Sequence, residues 1–324
     1  MRVEPVRIGV VGVGGFGRLH AQTLAGLAEA ELVALVDRSE VSLTAARTEL
    51  PGSCGWSNLE EAIRDSSAEA WVIATPTASH VAIAEALLRA GKTVLIEKPM
   101  ALDVASGRTL ESLIAKDSGN LMVGHVALFS PEFRQLQREL ESRGPLRYIN
   151  AVRHRGTDHL TLYRGETPLG MTMIHDLYLA LVMTGGEEPS RLTATLHSQK
   201  GSGVDLAIAQ IEWPSGVCGS FTASFLTPPG MPRDGYDRLE VFGQGWAAHL
   251  RMNPQPMEVW GDRAEWPISI DVHLNDSPSG LLAEELRCFC RVVRGLSPVP
   301  VGARYADAMQ LQVWLHQLEQ SAGK

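Results

Sequence analysis

The stretch from Arg7 to Asp37 constrains the fold more than any other part of this 324-residue chain. Its first apolar run, Ile8 to Val11, is short and rich in β-branched residues, as is typical of a strand buried on both faces. A glycine-rich turn, a helical segment and a second apolar run follow, and the second run ends at Asp37. The glycines have the spacing G-x-G-x-x-G and are Gly12, Gly14 and Gly17. This order predicts a dinucleotide-binding βαβ unit.

Each glycine of this fingerprint has its own physical role. The first permits a tight turn, the second lets the backbone approach a pyrophosphate, and the third lets the helix pack closely on the strand. Gly15 and Phe16 lie in the same turn and belong to the predicted cofactor site. Free N–H groups and the helix dipole favour phosphate at the start of the helix. Asp37 follows about 20 residues later, where a carboxylate receives the ribose hydroxyls.

The choice of cofactor depends on Asp37 and its neighbour Arg38. A carboxylate at this position binds the 2′-hydroxyl of NAD and repels the 2′-phosphate of NADP, whereas a nearby arginine can pair with that phosphate. The charge argument favours NAD and leaves NADP as the alternative.

Length and composition limit the classes of protein that fit. A chain of 324 residues exceeds what one hydrophobic core usually supports, so two domains are expected. A net charge of -8 argues against a nucleic-acid partner and favours small ligands. The four cysteines form no C-x-x-C pair, no metal motif is found, and no apolar run approaches the ~20 residues of a membrane span. Because no signal peptide precedes the first strand, the cytoplasm is the expected location.

Patterns of strand and helix alternate through the first ~120 residues, which predicts a parallel sheet with right-handed crossovers. Polar residues follow two further strands: Thr75 and Pro76 after one, Glu97 and Lys98 after the other. In a doubly wound sheet, the edge formed by the carboxyl ends of the strands binds the ligand.

Lys98 has the most distinctive chemistry among these residues. It lies at the carboxyl end of a strand, between Glu97 and Pro99. Partial burial at such a place can tune a lysine amine for proton transfer. Most loop lysines are simply solvated, and the spacing alone leaves both interpretations open.

Together these motifs resemble the Gfo/Idh/MocA oxidoreductases. The resemblance rests on the glycine fingerprint, Thr75-Pro76 with His80 five residues after Thr75, the Glu97-Lys98-Pro99 triplet, and the segment from Val123 to Pro131. It implies NAD(P)-dependent hydride transfer between nicotinamide and a hydroxyl carbon of a sugar, polyol or nucleotide sugar. It further implies that Lys98 lies beside the nicotinamide and the substrate hydroxyl, and that His80 and Glu97 belong to the cofactor site.

Past Gly124 the pattern changes to extended segments, many of which alternate apolar and polar residues, separated by Gly, Pro and Asp turns. They predict a mostly antiparallel open sheet. The predicted fold is therefore an α/β Rossmann dinucleotide-binding domain over residues 1–123 and an α+β substrate domain over residues 124–324. By the resemblance, a C-terminal helix over about 303–320 packs back toward the Rossmann domain, and the open sheet forms a homodimer or homotetramer.

The helical stretch from Leu169 to Met183 resembles the family pattern Asp-x-x-x-His-Asp-x-Asp. His175 and Asp176 match it, and the resemblance implies that His175 assists Lys98 as acid or base. Met171 replaces the first aspartate and Tyr178 replaces the last. An aspartate four residues before a histidine on a helix can raise its basicity, which methionine cannot do.

Three accounts of Met171 stay open. Asp158 or Asp176 replaces the lost carboxylate, Lys98 with His175 suffices, or the chain binds a dinucleotide without dehydrogenating a sugar. A lyase or glycosidase that uses NAD transiently is a further alternative.

A charged stretch ahead of this helix offers candidate substrate residues, namely Arg153, His154, Arg155, Asp158, His159 and Arg164. Arginine forks suit carboxylates and phosphates, so the stretch is a candidate site for a uronate or a nucleotide sugar. A solvated polar loop is the alternative interpretation. The predicted catalytic residues are thus Lys98 and His175, and the predicted substrate residues are Arg155, Asp158, Asp176 and Tyr178.

Overall fold

The structure is a computed structural model that describes residues 4–163, 165–198, 203–231, 235–253, 259–260, 264–265, 272–274 and 277–323. The chain divides into two compact units. The first comprises Met1–Phe129 and Ser269–Met309, and the second comprises Ser130–Ile268 and Gln310–Lys324. The predicted domain boundary at residue 123 stays a prediction.

A six-stranded parallel sheet forms the centre of the first unit. Its strands are β1 (Val6–Val11), β2 (Ala30–Val36), β3 (Cys54–Trp56), β4 (Ala70–Ile73), β5 (Thr93–Glu97) and β6 (Leu121–Gly124). They lie in the order β3-β2-β1-β4-β5-β6. Neighbours pair in parallel throughout, so the predicted Rossmann sheet is confirmed. The short strand β3 was not apparent from the sequence.

The helices of the described residues are α1 (Gly15–Gly26), α2 (Glu40–Glu49), α3 (Leu59–Asp65), α4 (His80–Arg89), α5 (Val104–Arg108), α6 (Pro131–Ser142), α7 (His159–Leu162), α8 (Ile174–Met183), α9 (Gly280–Val293) and α10 (Tyr305–Ala322). Local side chains fix several helix starts. Ser39 accepts from Ser42 N at the start of α2, and Asn58 accepts from Glu61 N at the start of α3. Gly91 follows α4 with a φ of 71°, as expected for a glycine that ends a helix.

Trp71 on β4 is one of the largest side chains in the core of the first unit. This indole is fully buried, and a Cβ at Gly9 on the neighbouring strand β1 would lie 2.4 Å from its ring. Gly9 therefore gives the indole room against the sheet. All four residues of β4 are buried, as expected for a central parallel strand covered on both faces.

A second six-stranded sheet belongs to the second unit. Its strands are β7 (Leu146–Gly156), β8 (Arg191–Ser198), β9 (Val204–Glu212), β10 (Cys218–Thr227), β11 (Tyr236–Gly243) and β12 (Trp246–Asn253), in the order β12-β11-β7-β10-β9-β8. Only the β7–β10 pairing within it is parallel. The mostly antiparallel sheet predicted from the alternating pattern is thus confirmed.

Short strands complete the described chain. They are β13 (Val259–Trp260), β14 (Ala264–Glu265), β15 (Val272–Leu274) and β16 (Ser277–Ser279). The polar residues from Asn275 to Gly280 predict a loop, but residues 277–279 within this stretch pair with β15. The sequence pattern also predicts an extended segment from Met257 to Trp260, of which Met257 lies outside the described residues. None of the helices in the described ranges has the length and apolar character needed to cross a bilayer.

Arg294, at the end of α9, ties that helix to the parallel sheet. Its guanidinium donates to both carboxylate oxygens of Glu69, at 2.9 and 2.8 Å, and to the carbonyls of Glu4 and Pro5. Glu69 immediately precedes β4. The hydrogen bonds from Arg294 lower the pKa of Glu69 from its ordinary 4.5 to about 2.

We expect Arg294→Ala to lower the free energy of unfolding by about 1–2 kcal/mol at neutral pH, because it removes partly exposed charge-assisted hydrogen bonds. Glu69 titrates near 4.5 when unfolded and near 2 when folded, so its stabilisation is complete above pH 4.5 and is lost as the pH falls toward 2. The difference in free energy of unfolding between the wild type and Arg294→Ala, measured by urea denaturation, should therefore decrease as the pH falls from 4.5 toward 2. Arg64→Ala, which breaks the exposed Arg64–Asp65 pair, is the control and should leave the urea midpoint close to that of the wild type. A difference in free energy of unfolding between the wild type and Arg294→Ala that does not change with pH would contradict this account.

Candidate active site

The glycine turn after β1 has the geometry that a dinucleotide requires. Gly12 has a φ of 85°, and a Cβ at Gly17 would lie 1.7 Å from the carbonyl oxygen of Gly12. These two positions therefore exclude any side chain. A Cβ at Gly14 would meet no atom within 4 Å, and no side chain of the described residues caps α1. The space beside Gly14 and the N–H groups at the start of α1 are thus open to a ligand.

Asp37 is held at the carboxyl end of β2, against the glycine turn. Its Oδ2 accepts from the N–H of Val13 at 2.9 Å, and its Oδ1 accepts from the N–H of Ser39 at 2.8 Å. Arg38 next to it is exposed. The two backbone donors fix the carboxylate in one orientation, at the place where the fingerprint puts the ribose-binding acid.

A cleft of about 410 Å³ lies along this edge of the sheet, at the switch point between β1 and β4. That volume is within the usual range for a ligand site. Predicted cofactor residues that line it are Gly12, Gly14, Asp37, Arg38, Thr75 and Pro76. Ser57, Asn58 and Ser79 also line it and were not predicted, because they belong to loops without a motif. The cleft is thus formed by residues that follow β1, β2, β3 and β4, which are far apart in the sequence.

His80 connects two loops at this edge. The side chain is buried, with Nδ1 2.9 Å from the carbonyl oxygen of Pro99 and Nε2 2.7 Å from that of Thr75. Burial lowers the pKa of His80, and a neutral imidazole carries one N–H, so it donates to one carbonyl at a time. The predicted role of His80 at the cofactor stays a prediction, but its contacts hold the Thr75 strand end and the Lys98–Pro99 loop together.

Lys98 follows β5 directly and is half-buried. The peptide bond between Lys98 and Pro99 is cis. The neighbouring Glu97 turns its carboxylate inward, where Oε1 lies 2.8 Å from Nε2 of His20 and Oε2 accepts from the N–H of Lys98 at 3.3 Å. The backbone of Lys98 is therefore held by the Glu97 carboxylate, which itself contacts the buried His20 of the first unit. His20, which was not among the predicted site residues, is fully buried here.

Glu285 of α9 also reaches this region and was not predicted from the sequence. It is fully buried, and its Oε1 accepts from the N–H of His125 at 2.6 Å. Burial, with a further contribution from the charge of Glu97, raises the pKa of Glu285 well above its ordinary value of 4.5. The sequence contains one indication of this role, because Glu285 is an acid among the apolar residues of a helix. Its neighbours Leu281, Leu282, Leu286 and Phe289 are all buried.

The second unit contains His175, the other predicted catalytic residue. The predicted helix begins with a π-helical turn, Leu169–Met173, and continues as α8. Met171 lies in that turn and the half-buried His175 lies in the first turn of α8. The α-helical i, i+4 geometry assumed from the sequence therefore does not apply between them. Short π-helical turns are frequent at functional sites.

Asp176, beside His175, belongs to a buried ion-pair network. It accepts from Arg153 Nε at 3.1 Å and from Nη2 at 2.8 Å, while Nη1 of Arg153 donates to Asp237 at 2.9 Å. Arg155 also donates to Asp237, at 3.0 Å from Nη2. Burial raises the pKa of Asp176 although the charge of Arg153 opposes it. This network anchors the first turn of α8 to β7 and β11.

The first half of the charged stretch, Arg153 to Arg155, therefore lies on strand β7. Arg153 and Arg155 belong to β7 and both pair with carboxylates, so the solvated-loop interpretation is wrong for them. Their paired charges are less available to an anionic substrate. Asp158 is exposed beside His159, Tyr178 is buried, and Arg164 lies outside the described residues. The substrate roles of Arg155, Asp158, Asp176 and Tyr178 stay predictions.

Comparison with known proteins gives matches along most of the chain. A family model described as "Oxidoreductase family, NAD-binding Rossmann fold" matches residues 6–125, and the GFO/IDH/MocA C-terminal domain matches residues 139–248. UDP-N-acetylglucosamine 3-dehydrogenase of Acidithiobacillus ferrooxidans is 30% identical over 316 residues, covering 95% of this chain and 96% of that protein. Inositol 2-dehydrogenase of Rhizobium meliloti is 30% identical over 197 residues, which span 59% of this chain and only 58% of that relative.

Solved structures share the fold over nearly the whole chain. GenD2 from gentamicin A biosynthesis, in complex with NAD, superposes with a TM-score of 0.84 at 24% identity, covering 99% of this chain and 95% of that one. UDP-N-acetylglucosamine 3-dehydrogenase GnnA from Acidithiobacillus ferrooxidans gives 0.80 at 25% identity, covering 98% and 97%.

Proposed function

The chain belongs to the GFO/IDH/MocA oxidoreductase family, and we propose on this basis that it is an NAD-dependent dehydrogenase acting on a CH–OH group of a sugar, polyol or nucleotide sugar. The observation that carries the proposal is the carboxyl edge of the parallel sheet. The open glycine turn, the fixed carboxylate of Asp37 and the half-buried Lys98 all follow strands of that one sheet. The names of the similar dehydrogenases support the substrate class.

The residues of the first unit fit a dinucleotide. In this proposal the pyrophosphate binds the N–H groups at the start of α1 in the space beside Gly14, and Asp37 accepts hydrogen bonds from the ribose hydroxyls. Three observations support it: no side chain of the described residues caps α1, a Cβ at Gly14 would meet no atom within 4 Å, and Asp37 lies against the N–H of Val13. When bound, NAD supplies the acceptor for the hydride. Lys98 accepts the proton of the substrate hydroxyl, so that its oxygen forms the carbonyl as the carbon loses hydride. His175 assists as acid or base.

The preference for NAD over NADP rests on charge. The Asp37 carboxylate would face the 2′-phosphate of NADP, whereas it accepts hydrogen bonds from the ribose of NAD. Arg38 lines the same cleft but is exposed, so solvent screens its attraction for a phosphate. Dissociation constants of NADH and NADPH test this preference, which a tighter complex with NADPH would overturn.

Lys98→Ala should lower kcat by about 10²–10⁴-fold, the usual range for a lost general acid or base. The assay follows NADH formation with a panel of sugars, polyols, sugar acids and nucleotide sugars. Lys98→Arg keeps a positive charge but cannot give up a proton at working pH, so it should be as inactive as Lys98→Ala. Small primary amines should partly restore Lys98→Ala, since they replace the missing base.

Lys116→Ala is the matched control, because Lys116 is an exposed lysine of the same unit. It should leave turnover unchanged. All variants must first be shown to bind NADH. Turnover in Lys98→Ala equal to that of the wild type would disprove the role of Lys98.

Met171 favours a second candidate, a dinucleotide-binding regulatory protein without turnover. The related pattern carries aspartate there, and methionine supplies no carboxylate to the region of His175. In that case the protein binds NADH tightly but oxidises no member of the panel. Activity gained by Met171→Asp would support this candidate.

We also propose that the chain forms a homodimer or homotetramer through the open sheet. Tyr148, Ile208 and Phe242 lie on the same face of it and are 36%, 39% and 44% exposed, which is unusual for such large apolar side chains in a sheet. Phe242→Asp should lower the mass measured by light scattering, and a monomeric wild type would contradict the proposal. None of the four cysteines, all of which lie in the described ranges, forms a disulfide bond, as is typical of cytoplasmic proteins. We therefore propose that location, which cell fractionation tests.

A further inference from the structure

A buried cluster of titratable side chains lies next to Lys98 in the first unit. It consists of His20 on α1, Glu97 on β5 and Glu285 on α9, and one polar atom from each lies within 4.8 Å of the others. His20 and Glu285 are fully buried, and the Glu97 side chain is 12% exposed. The mechanism proposed above gives this His20–Glu97–Glu285 cluster no part.

The two carboxyl groups of the cluster have different numbers of hydrogen-bond donors. Two donors lie within hydrogen-bond distance of the Glu97 carboxylate: Nε2 of His20 at 2.8 Å and the N–H of Lys98 at 3.3 Å. Glu285 has one, the N–H of His125, and its Oε2 has no partner among the described residues. Donors stabilise an ionised carboxylate, so Glu97 is the better place for a negative charge.

Two carboxylates this close in a dry interior repel each other strongly, so one of them keeps a proton. The donor count assigns that proton to Glu285, and the raised pKa of Glu285 agrees. His20 contributes no compensating charge in this arrangement. Its Nδ1 is buried without a partner among the described residues, so a proton there would be an unsatisfied donor, and the neutral ring donates from Nε2 to Glu97.

The described elements that pack against α9 carry few titratable side chains. The elements packed against α9 include α1, β16 and the Val126–Phe129 turn, and the last two have no titratable side chain. His125 meets Glu285 through its backbone N–H. On α9 itself, Glu284 and Arg287 pair with each other at 2.6 Å, and Arg287 also approaches Glu29 of α1 at 3.5 Å.

We propose that Glu285 holds a proton against Glu97, so that the cluster places one negative charge beside Lys98 rather than two and leaves that lysine able to release its proton. A second negative charge would hold Lys98 as an ammonium ion, which cannot act as a base. Glu285 is thus a positioning residue that acts on Lys98 through Glu97. The inference rests on the base role proposed for Lys98, but its test does not need turnover.

Infrared spectroscopy tests the proton directly. At neutral pH the full-length protein should show the C=O band of a protonated carboxylic acid, and the band should disappear in Glu285→Gln. Asp176→Asn is a control for the band, because Asp176 is another buried carboxyl whose pKa is raised. Absence of the band in the wild type, or its loss only in Asp176→Asn, would overturn the inference.

Competitive labelling with acetic anhydride, read by mass spectrometry of the Lys98 peptide, gives the pH at which the Lys98 amine titrates. Glu97→Gln removes the remaining charge and should lower that pH by about one unit or more. Glu285→Gln replaces a neutral group with a neutral group and should leave it within a few tenths of a unit. Glu284→Gln, which changes the exposed acid next in the chain, should also leave it unchanged.

An equal downward shift in Glu285→Gln and Glu97→Gln would overturn the inference, since it would show that Glu285 is ionised. So would a stoichiometric metal ion that is present in the wild type and lost in Glu285→Gln. If the band and the shift appear while no sugar is oxidised, the proposed function fails and the proton assignment stands. If Glu285→Gln does not fold, the band in the wild type and the Glu97→Gln shift still decide the question.

Discussion

The close approach of α1 to β1 is the constraint on which the candidate site depends. The backbone of Gly17 comes so near the carbonyl of Gly12 that no side chain fits between them. This approach aims the uncapped start of α1 at the edge of the sheet and brings the N–H of Val13 within reach of Asp37. It also brings His20 of α1 against Glu97 at the end of β5. One packing contact between a helix and a strand thus arranges the glycine turn, the carboxylate of Asp37 and the support of Lys98.

Charge is arranged differently in the two units. In the second, Arg153 and Arg155 are balanced by Asp176 and Asp237, so that buried charges occur in opposite pairs. In the first, the two acids Glu97 and Glu285 lie close together around a single histidine, His20. Buried structural charges are usually paired, whereas clustered acids of unequal proton affinity are typical of sites that handle protons.

The sequence predicted those features whose signal is local. The glycine spacing, the apolar strands and the alternating segments each determine structure within a few residues, and both sheets formed where these patterns indicated them. Two kinds of feature could not be predicted from the sequence. The π-helical turn at Leu169–Met173 departs from the α-helical period assumed for the whole stretch. The contact between Glu285 and His125 joins residues 160 positions apart, which no spacing rule anticipates. The pairing of Arg153 with Asp176 and Asp237 likewise depends on tertiary packing.

The central claim is that the carboxyl edge of the parallel sheet binds a nicotinamide dinucleotide with Lys98 at its reactive end. A crystal structure of the protein with NADH tests it most directly. The account predicts the pyrophosphate at the N–H groups that begin α1, the ribose hydroxyls on Asp37 and the nicotinamide ring beside Lys98. A dinucleotide bound elsewhere, or bound at this edge with its nicotinamide ring away from Lys98, would contradict it.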